Sequence, residues 1–365
     1  MLEQANLLTF GIWAIMTAVA LGLAYLAIVY RVHANFLVPA AAGIILANLP
    51  LPGIDYGLAP LRHFFQAGLD AGVYPALILL CRGAGMDLSF LIAHPRQLFL
   101  GLLGTLAFLS LTALGWSWGL APSQAGGGAL IGSGDGLPAI FLTGSLAREV
   151  VGPVGLTAYA LVGLLPRIQM ALAKLFTTPQ ERMLRMAPLR KVARRENLVF
   201  AGAGLALTGL LVPGAMPLTG MFFLGNLLKE SGVMERLART LANRLGDILM
   251  VLLGLGIGSS CRPGDFVTLI YGKIIVLGLA ALILVPVVGI MAVKVANLFF
   301  TRKINPLVGA AAVGLLPDAA LVAQIIGRRE DPHNNIYSHA LASSQAALLA
   351  ATLTSGLLWG ILGGR

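Results

Sequence analysis

Asp135 stands in the run Gly132-Ser133-Gly134-Asp135-Gly136-Leu137-Pro138, a lone carboxylate inside a segment that is otherwise apolar. Glycine on either side lets backbone carbonyls turn toward a bound cation, and Pro138 stops a helix from running through the carboxylate. Oxygen donors around one negative charge suit a hard monovalent ion such as Na⁺, which must bind and still be able to leave. A carboxylate at membrane depth is costly unless something compensates it. Asp135 is therefore a functional candidate by default, with Ser133, Gly134 and Gly136 in support. The plainer reading is an N-cap for the helix that follows, a position at which Asp and Asn serve about equally. A phosphate loop is excluded, since no Lys-Ser or Lys-Thr pair follows the glycines and no strand-like run precedes them.

A second constellation is Lys303-Ile304-Asn305-Pro306-Leu307-Val308-Gly309, running on through small residues to Pro317 and Asp318. Asn305 offers a neutral carbonyl oxygen, Pro306 frees backbone from helical pairing, and Gly309 permits close approach. Discontinuous helices of this kind hold ion sites in secondary transporters, usually one from each of two related halves. Asp135 and Asn305 are 170 positions apart, nearly half of 365 residues, a spacing that suits two repeats. Taken alone, Asn-Pro is also an ordinary helix start. The third stretch, Gly220 to Gly232, contains Asn226, which could ligate an ion or hydrogen-bond across helices, the structural role being the stronger reading.

The elements that carry these residues are membrane helices. With 58% hydrophobic and 11% charged residues, the chain has too few charges to cover a water-soluble surface, where roughly 25% is usual. Apolar runs near 9–30, 36–54, 72–92, 97–120, 150–172, 198–214, 246–260, 266–298 and 338–362 each approach the roughly 20 residues that cross a bilayer. Three interrupted stretches, Gly126 to Leu146, Met216 to Lys229 and Asn305 to Ile326, are read as broken helices, because lipid offers unpaired backbone no partner. The expected fold is an all-α polytopic bundle of about 9 to 11 spans, residues 1–365 forming one membrane domain, with two re-entrant or broken segments. Its first half (1–172) carries the Asp motif, a basic loop (173–197) follows, and its second half (198–365) carries the Asn-Pro motif. Glu235 to Arg244 reads as an amphipathic helix on the membrane face, and the stretch after Pro52 through Arg62, His63, Phe64 and Phe65 as another. The start, with Glu3 and Gln4 leading into Leu7 to Tyr30, lacks the marks of a cleaved signal and reads as a retained helix. Cys81 and Cys261 form neither a disulfide framework nor a metal cluster. The net charge of +10 is no nucleic-acid footprint, because its densest part, Arg182, Arg185, Arg190, Lys191, Arg194 and Arg195, is a short loop between apolar segments.

Read together, these stretches resemble the β subunit of the sodium-translocating biotin-dependent decarboxylases, the family of the oxaloacetate, methylmalonyl-CoA and glutaconyl-CoA decarboxylase pumps. The resemblance runs from Val73 to the C-terminus. Its carriers are Met86-Asp87 and His94-Pro95-Arg96, Gly134-Asp135-Gly136 with Ala139-Ile140-Phe141, and Glu181-Arg182 with Arg185-Met186 and Leu189-Arg190. Gly225-Asn226-Leu227 with Glu230-Ser231-Gly232-Val233, and Ile304-Asn305-Pro306-Leu307-Val308-Gly309, complete them. The resemblance implies a membrane-embedded carboxybiotin decarboxylase in which release of CO₂ from biotin, presented by a partner subunit rather than attached here, drives Na⁺ outward. It places Asp135 as the catalytic, ion-coupled residue and Asn305 and Gly309 beside it in Na⁺ binding. Biotin-carrier and carboxyltransferase subunits, a small single-span subunit and a possible homo-oligomer are the implied partners, and the bacterial inner membrane is the implied location. The implied fold is an inverted two-repeat bundle that moves as an elevator.

The chain departs from the family pattern at Leu137-Pro138, Leu161, Gly314, Leu321 and Ala342-Ser343-Ser344. Each departure removes a hydroxyl, a charge or a proton partner, and loss of a positioned acid or base typically costs about 10²–10⁴ in rate. They frame the alternatives: a divergent paralogue acting as an ion or carboxylate carrier without decarboxylase activity, or a purely structural membrane subunit.

The excess of Lys and Arg over Glu181 and Glu196 puts the loop from Lys174 to Glu196 in the cytoplasm. A cysteine in place of Arg190 is expected to stay unmodified when an impermeant maleimide is added to intact cells, and to react once the membrane is opened. Ready labelling from outside would reverse the orientation.

Overall fold

A computed structural model describes residues 2–31, 33–48, 63, 65–299 and 301–363, and all regular structure among them is helical. The stretch from Pro52 through Arg62, and Phe64 with it, lies outside the described residues, as does the end of the 36–54 run. Large apolar side chains face outward along whole helices, with Leu210 77% and Leu298 80% exposed. Such surface belongs against lipid.

By length and composition four described helices can cross a bilayer: Pro95–Ser117, Glu235–Ser259, Leu269–Phe299 and Tyr337–Gly363. A fifth is the pair Arg148–Val162 and Leu165–Phe176, bent by 54°. Of the other expected spans, three hold shorter apolar helices, Trp13–Val29, Ala34–Ala47 and Val73–Gly85, and 198–214 falls in the Arg194–Leu211 helix. Glu235 to Arg244 is no separate surface helix: it passes through a π-helical turn, Leu241–Leu245, directly into Gly246–Ser259. The stretch from Met216 is likewise continuous, a π turn at Met216–Gly220 feeding the Met221–Ser231 helix.

The other two interrupted stretches are true hairpins. In the first, the Pro122–Leu130 helix ends in a 3₁₀ turn at Ile131–Ser133, Gly134 turns left-handed, and the Gly136–Leu146 helix returns. Its root is closed where Gln124 Nε2 donates to Glu149 Oε1 at 2.9 Å. In the second, Pro306–Ala310 is followed by a non-helical turn and then by Asp318–Glu330.

The 31-residue helix Leu269–Phe299, about 46 Å long, measures the depth of both hairpins. Near its start Lys273 Nζ donates to the Trp118 carbonyl at 2.6 Å, just ahead of the first hairpin. Gly278 then faces Ile131, and Ala281 faces Gly132. Farther on Gly289 faces Gly309, and Asn297 exchanges two 2.7 Å hydrogen bonds with Ile304, just ahead of the second hairpin. The hairpins therefore enter from opposite ends of this helix and run toward each other. Their tips meet where the Gly314 N–H donates to the Ser133 carbonyl at 2.6 Å.

Packing divides into two apolar clusters. One gathers buried residues from Ala107 to Ile131, with Ala173, Ile274 to Ile290, and the second hairpin. The other gathers Met16 to Leu91 and Leu218 to Cys261. Both sequence halves contribute to each cluster. The returning limb of the first hairpin lies in the seam, Ala139 and Leu142 facing the first cluster and Leu137, Ile140 and Phe141 the second.

Gly289 and Gly309 pack backbone to backbone, and a Cβ on Gly289 would also sit 3.2 Å from the Ala312 side chain. Gly289→Val is expected to destabilise the protein by about 1–3 kcal/mol, the usual scale of overpacking. Thermal unfolding in detergent at an unchanged midpoint would show that this contact does not hold the second hairpin.

Candidate functional site

Asp135 sits where the first hairpin turns back. Gly134 supplies the turn with φ 79°, a conformation that other side chains rarely adopt. A Cβ there would also press on the second hairpin, 2.9 Å from Leu315 N. Ser133 clamps the turn, its Oγ donating to the Asp135 carbonyl at 2.7 Å and accepting the Asp135 N–H at 3.3 Å. Gly136 lies against the Tyr159 ring, which stacks on Phe36 with centroids 3.9 Å apart.

The carboxylate divides its oxygens between two tasks. Oδ1 accepts the Leu137 N–H at 3.3 Å, the helix cap that the sequence offered as the plainer reading. Oδ2 is ion-paired with Arg82 Nη1, from the Val73–Gly85 helix. That pair ties the Val73–Gly85 helix, whose Ile78, Leu79, Cys81 and Ala84 belong to the second cluster, to a turn flanked by Ile131 of the first cluster and Leu137 of the second. Only 1% of the Asp135 side chain is exposed, against 32% for Arg82. His33 and Tyr159 lie within electrostatic range of both charges, and His33 also of Asp318, at the start of the second hairpin's outgoing helix.

Asn305 is fully buried and lies at the root of its hairpin. Its Oδ1 caps the Leu307 N–H at 3.0 Å, while Nδ2 donates to the carbonyls of Arg182 and Leu184, both at 2.9 Å. Asn334 Nδ2 grips the same Arg182 carbonyl at 2.9 Å. Ion pairs complete the clasp: Arg182 with Glu330 at 2.5 Å, Arg185 with Asp331 at 2.6 Å, and Glu181 with Lys294 at 3.1 Å. The basic loop is thus fastened to the second hairpin and to the long helix. Farther along the loop, the hydrogen bond from Arg190 and the Ala193 N–H hold the Glu196 carboxyl down at about 2.

The structure therefore brings the two hairpins together through Ser133 and Gly314 and leaves Asn305 engaged at the opposite end of its short helix. Gly309 sits between, against Gly289. Asn226 is fully buried and structural in its contacts, Nδ2 donating to the carbonyls of Gly83 at 3.1 Å and Met86 at 2.9 Å. It anchors the end of the helix that carries Arg82. Among the departures, Ser344 Oγ donates to the Ala311 carbonyl at 2.6 Å in the second tip, and Ser343 Oγ to Gln97 at 2.7 Å. Arg82, Asn334 and Asp318 gained no role from sequence reasoning. For Arg82 the signal was present, as it is the one charged residue in Val73–Gly85.

The sequence profile described as the Na⁺-transporting oxaloacetate decarboxylase beta subunit matches residues 13–362. The chain is 35% identical over 349 residues to the methylmalonyl-CoA decarboxylase subunit beta of Veillonella parvula, covering 96% of this chain and 93% of that one. It is 36% identical over 312 residues to the oxaloacetate decarboxylase beta chain of Klebsiella pneumoniae, covering 84% and 72%. To the glutaconyl-CoA decarboxylase subunit beta of Acidaminococcus fermentans it is 34% identical over 352 residues, covering 96% and 94%.

Asn305→Ala would leave the Leu184 carbonyl without its buried donor and the Arg182 carbonyl held by Asn334 alone, a loss of roughly 1–3 kcal/mol. The basic loop should then detach, and trypsin should cut at Arg182 and Arg185 faster than in the unaltered protein. Equal cleavage rates would mean that the ion pairs hold the loop without Asn305.

Proposed function

Since the chain belongs to the β-subunit family of the Na⁺-transporting decarboxylases, we propose that it couples decarboxylation of carboxybiotin to Na⁺ export, with Asp135 as the ion-coupled carboxylate. It is a multi-pass membrane subunit of a decarboxylase sodium pump. The observation that carries the role of Asp135 is its place: a carboxylate 1% exposed, at the turn of one hairpin whose tip touches the other. Carboxybiotin would supply a labile N-carboxylate whose loss as CO₂ takes up one proton. Asp135 would take Na⁺ through Oδ2, with Ser133, Gly134 and Gly136 fixing the turn so that the carboxylate keeps its aim.

In this reading Asn305 and Gly309 serve ion binding from the root and neck of the second hairpin, setting how its tip meets Ser133. Asn226 supports the helix opposite. The opposed hairpins favour an inverted two-repeat bundle within 9 to 11 spans, with halves at 1–172 and 198–365. The two packing clusters favour elevator-like sliding of the hairpin-bearing cluster against the other. The basic loop at 173–197 would face the cytoplasm of a bacterial inner membrane. There it would meet biotin-carrier and carboxyltransferase partners beside a small single-span subunit, within a complex that admits more than one copy of this chain.

Asp135→Asn keeps the shape and the cap to Leu137 but deletes the charge. The variant is expected to remain folded in the membrane and to lose Na⁺-dependent decarboxylation, together with the rise in thermal stability that Na⁺ confers. Na⁺ stabilisation with the same apparent affinity as the unaltered protein would leave Asp135 as a cap alone.

A further inference from the structure

Arg82 is a cation that the chain supplies to its own ion site. We propose that the Arg82 guanidinium is the exchangeable counter-ion of Asp135, so that Na⁺ binds only as Arg82 lets go and the seam between the two packing clusters is released in the same step. The inference rests on the reading of Asp135 as the Na⁺ ligand and adds to it what Na⁺ must displace.

Three observations carry it. The first is occupancy: Oδ1 of Asp135 accepts the Leu137 N–H and Oδ2 is held by Arg82, so a cation that takes Oδ2 has to displace the guanidinium. The second is order of access. About a third of the Arg82 side chain is exposed and almost none of Asp135, so an ion approaching from the exposed side meets the guanidinium before the carboxylate. Two cations against one carboxylate repel, and the site therefore holds one or the other. The third is position. Arg82 stands on the Val73–Gly85 helix of the second cluster and Asp135 at a turn flanked by Ile131 of the first cluster and Leu137 of the second, so their bond fastens that helix to the hairpin lying between the clusters.

Exchange rather than co-binding has a consequence for transport. With Arg82 in place, the site without Na⁺ carries no net charge and the clusters are fastened. With Na⁺ in place, the site is again balanced and the fastening is undone. Asn226 and Lys229 hold the end of the Arg82 helix through the Met86 carbonyl, both at 2.9 Å. The helix is thereby fixed and the side chain is left as the moving part.

The test measures thermal stability of the purified full chain against Na⁺ concentration for four proteins: unaltered, Arg82→Gln, Arg82→Lys and Asp135→Asn. A competitor that occupies the site most of the time lowers apparent affinity by the fraction of time the site is free. Arg82→Gln should therefore lower the half-saturating Na⁺ concentration by about tenfold or more. Arg82→Lys, which keeps the charge and loses the planar fork, should shift it less and in the same direction, and it serves alone if Arg82→Gln does not fold. A merely structural arginine would lower the unfolding temperature without moving the Na⁺ midpoint, and that result overturns the exchange. If Asp135→Asn loses its Na⁺ response while the Arg82 variants keep the unaltered midpoint, the counter-ion inference fails alone. If Asp135→Asn keeps the response at unaltered affinity, both it and the assignment of Asp135 fail.

Discussion

Broken backbone inside an apolar bundle has to find its hydrogen-bond partners in protein, and the meeting of the two hairpin tips depends on that constraint. Gly314 N–H and the Ser133 carbonyl satisfy each other across the junction. Short polar side chains brace the breaks: Ser344 Oγ donates to the Ala311 carbonyl, Ser355 Oγ to the Pro138 carbonyl at 2.8 Å, and the Leu137 and Leu307 N–H groups donate to Asp135 and Asn305. Each hairpin alone would expose polar groups to lipid. Opposed tips, entering from the two ends of one long helix, remove that cost for both, and they leave a carboxylate at the point of contact.

Where the chain breaks was legible in its residues. Gly-Asp-Gly ahead of Pro138 is a local signal and stands at the break of the first hairpin, whereas Asn305-Pro306 starts the second hairpin's short helix and the turn follows it at 311–317. The ends of Asn305 and Asp135 that face backward, onto Leu307 and Leu137, are local too, since a cap reaches only two residues. What Nδ2 of Asn305 grips is 121 to 123 positions away, and what Oδ2 of Asp135 pairs with is 53 positions away on another helix. No periodicity carries that information. The continuous helix through Leu241–Leu245 was hidden for a different reason: its first turns are charged and its later ones apolar, so one element reads as two.

Arg82 shows what the motifs alone leave out. Cation-binding chemistry draws the eye to oxygen donors, and a search for ligands passes over an arginine. Yet a buried carboxylate has the same need whatever meets it, and the cheapest partner is one already attached to the chain. The arginine lies one residue before Gly83, whose carbonyl Asn226 holds at 3.1 Å. The residue read as a possible ligand in sequence is thus, in the fold, a support for the residue that meets Asp135.

A buried ion pair contributes little net stability while it is whole, because desolvation offsets most of the attraction, but removing one partner leaves the other charge uncompensated and is strongly unfavourable. At the seam this asymmetry favours a switch over a glue. The two clusters gain little from the pair that apolar contact could not also provide, so holding them together does not require it. Separating Arg82 from Asp135 with nothing in its place is what the low-dielectric seam resists. On the exchange proposed for Arg82, the pair would part only when another cation stands at the carboxylate, which would make release of this contact conditional on the ion.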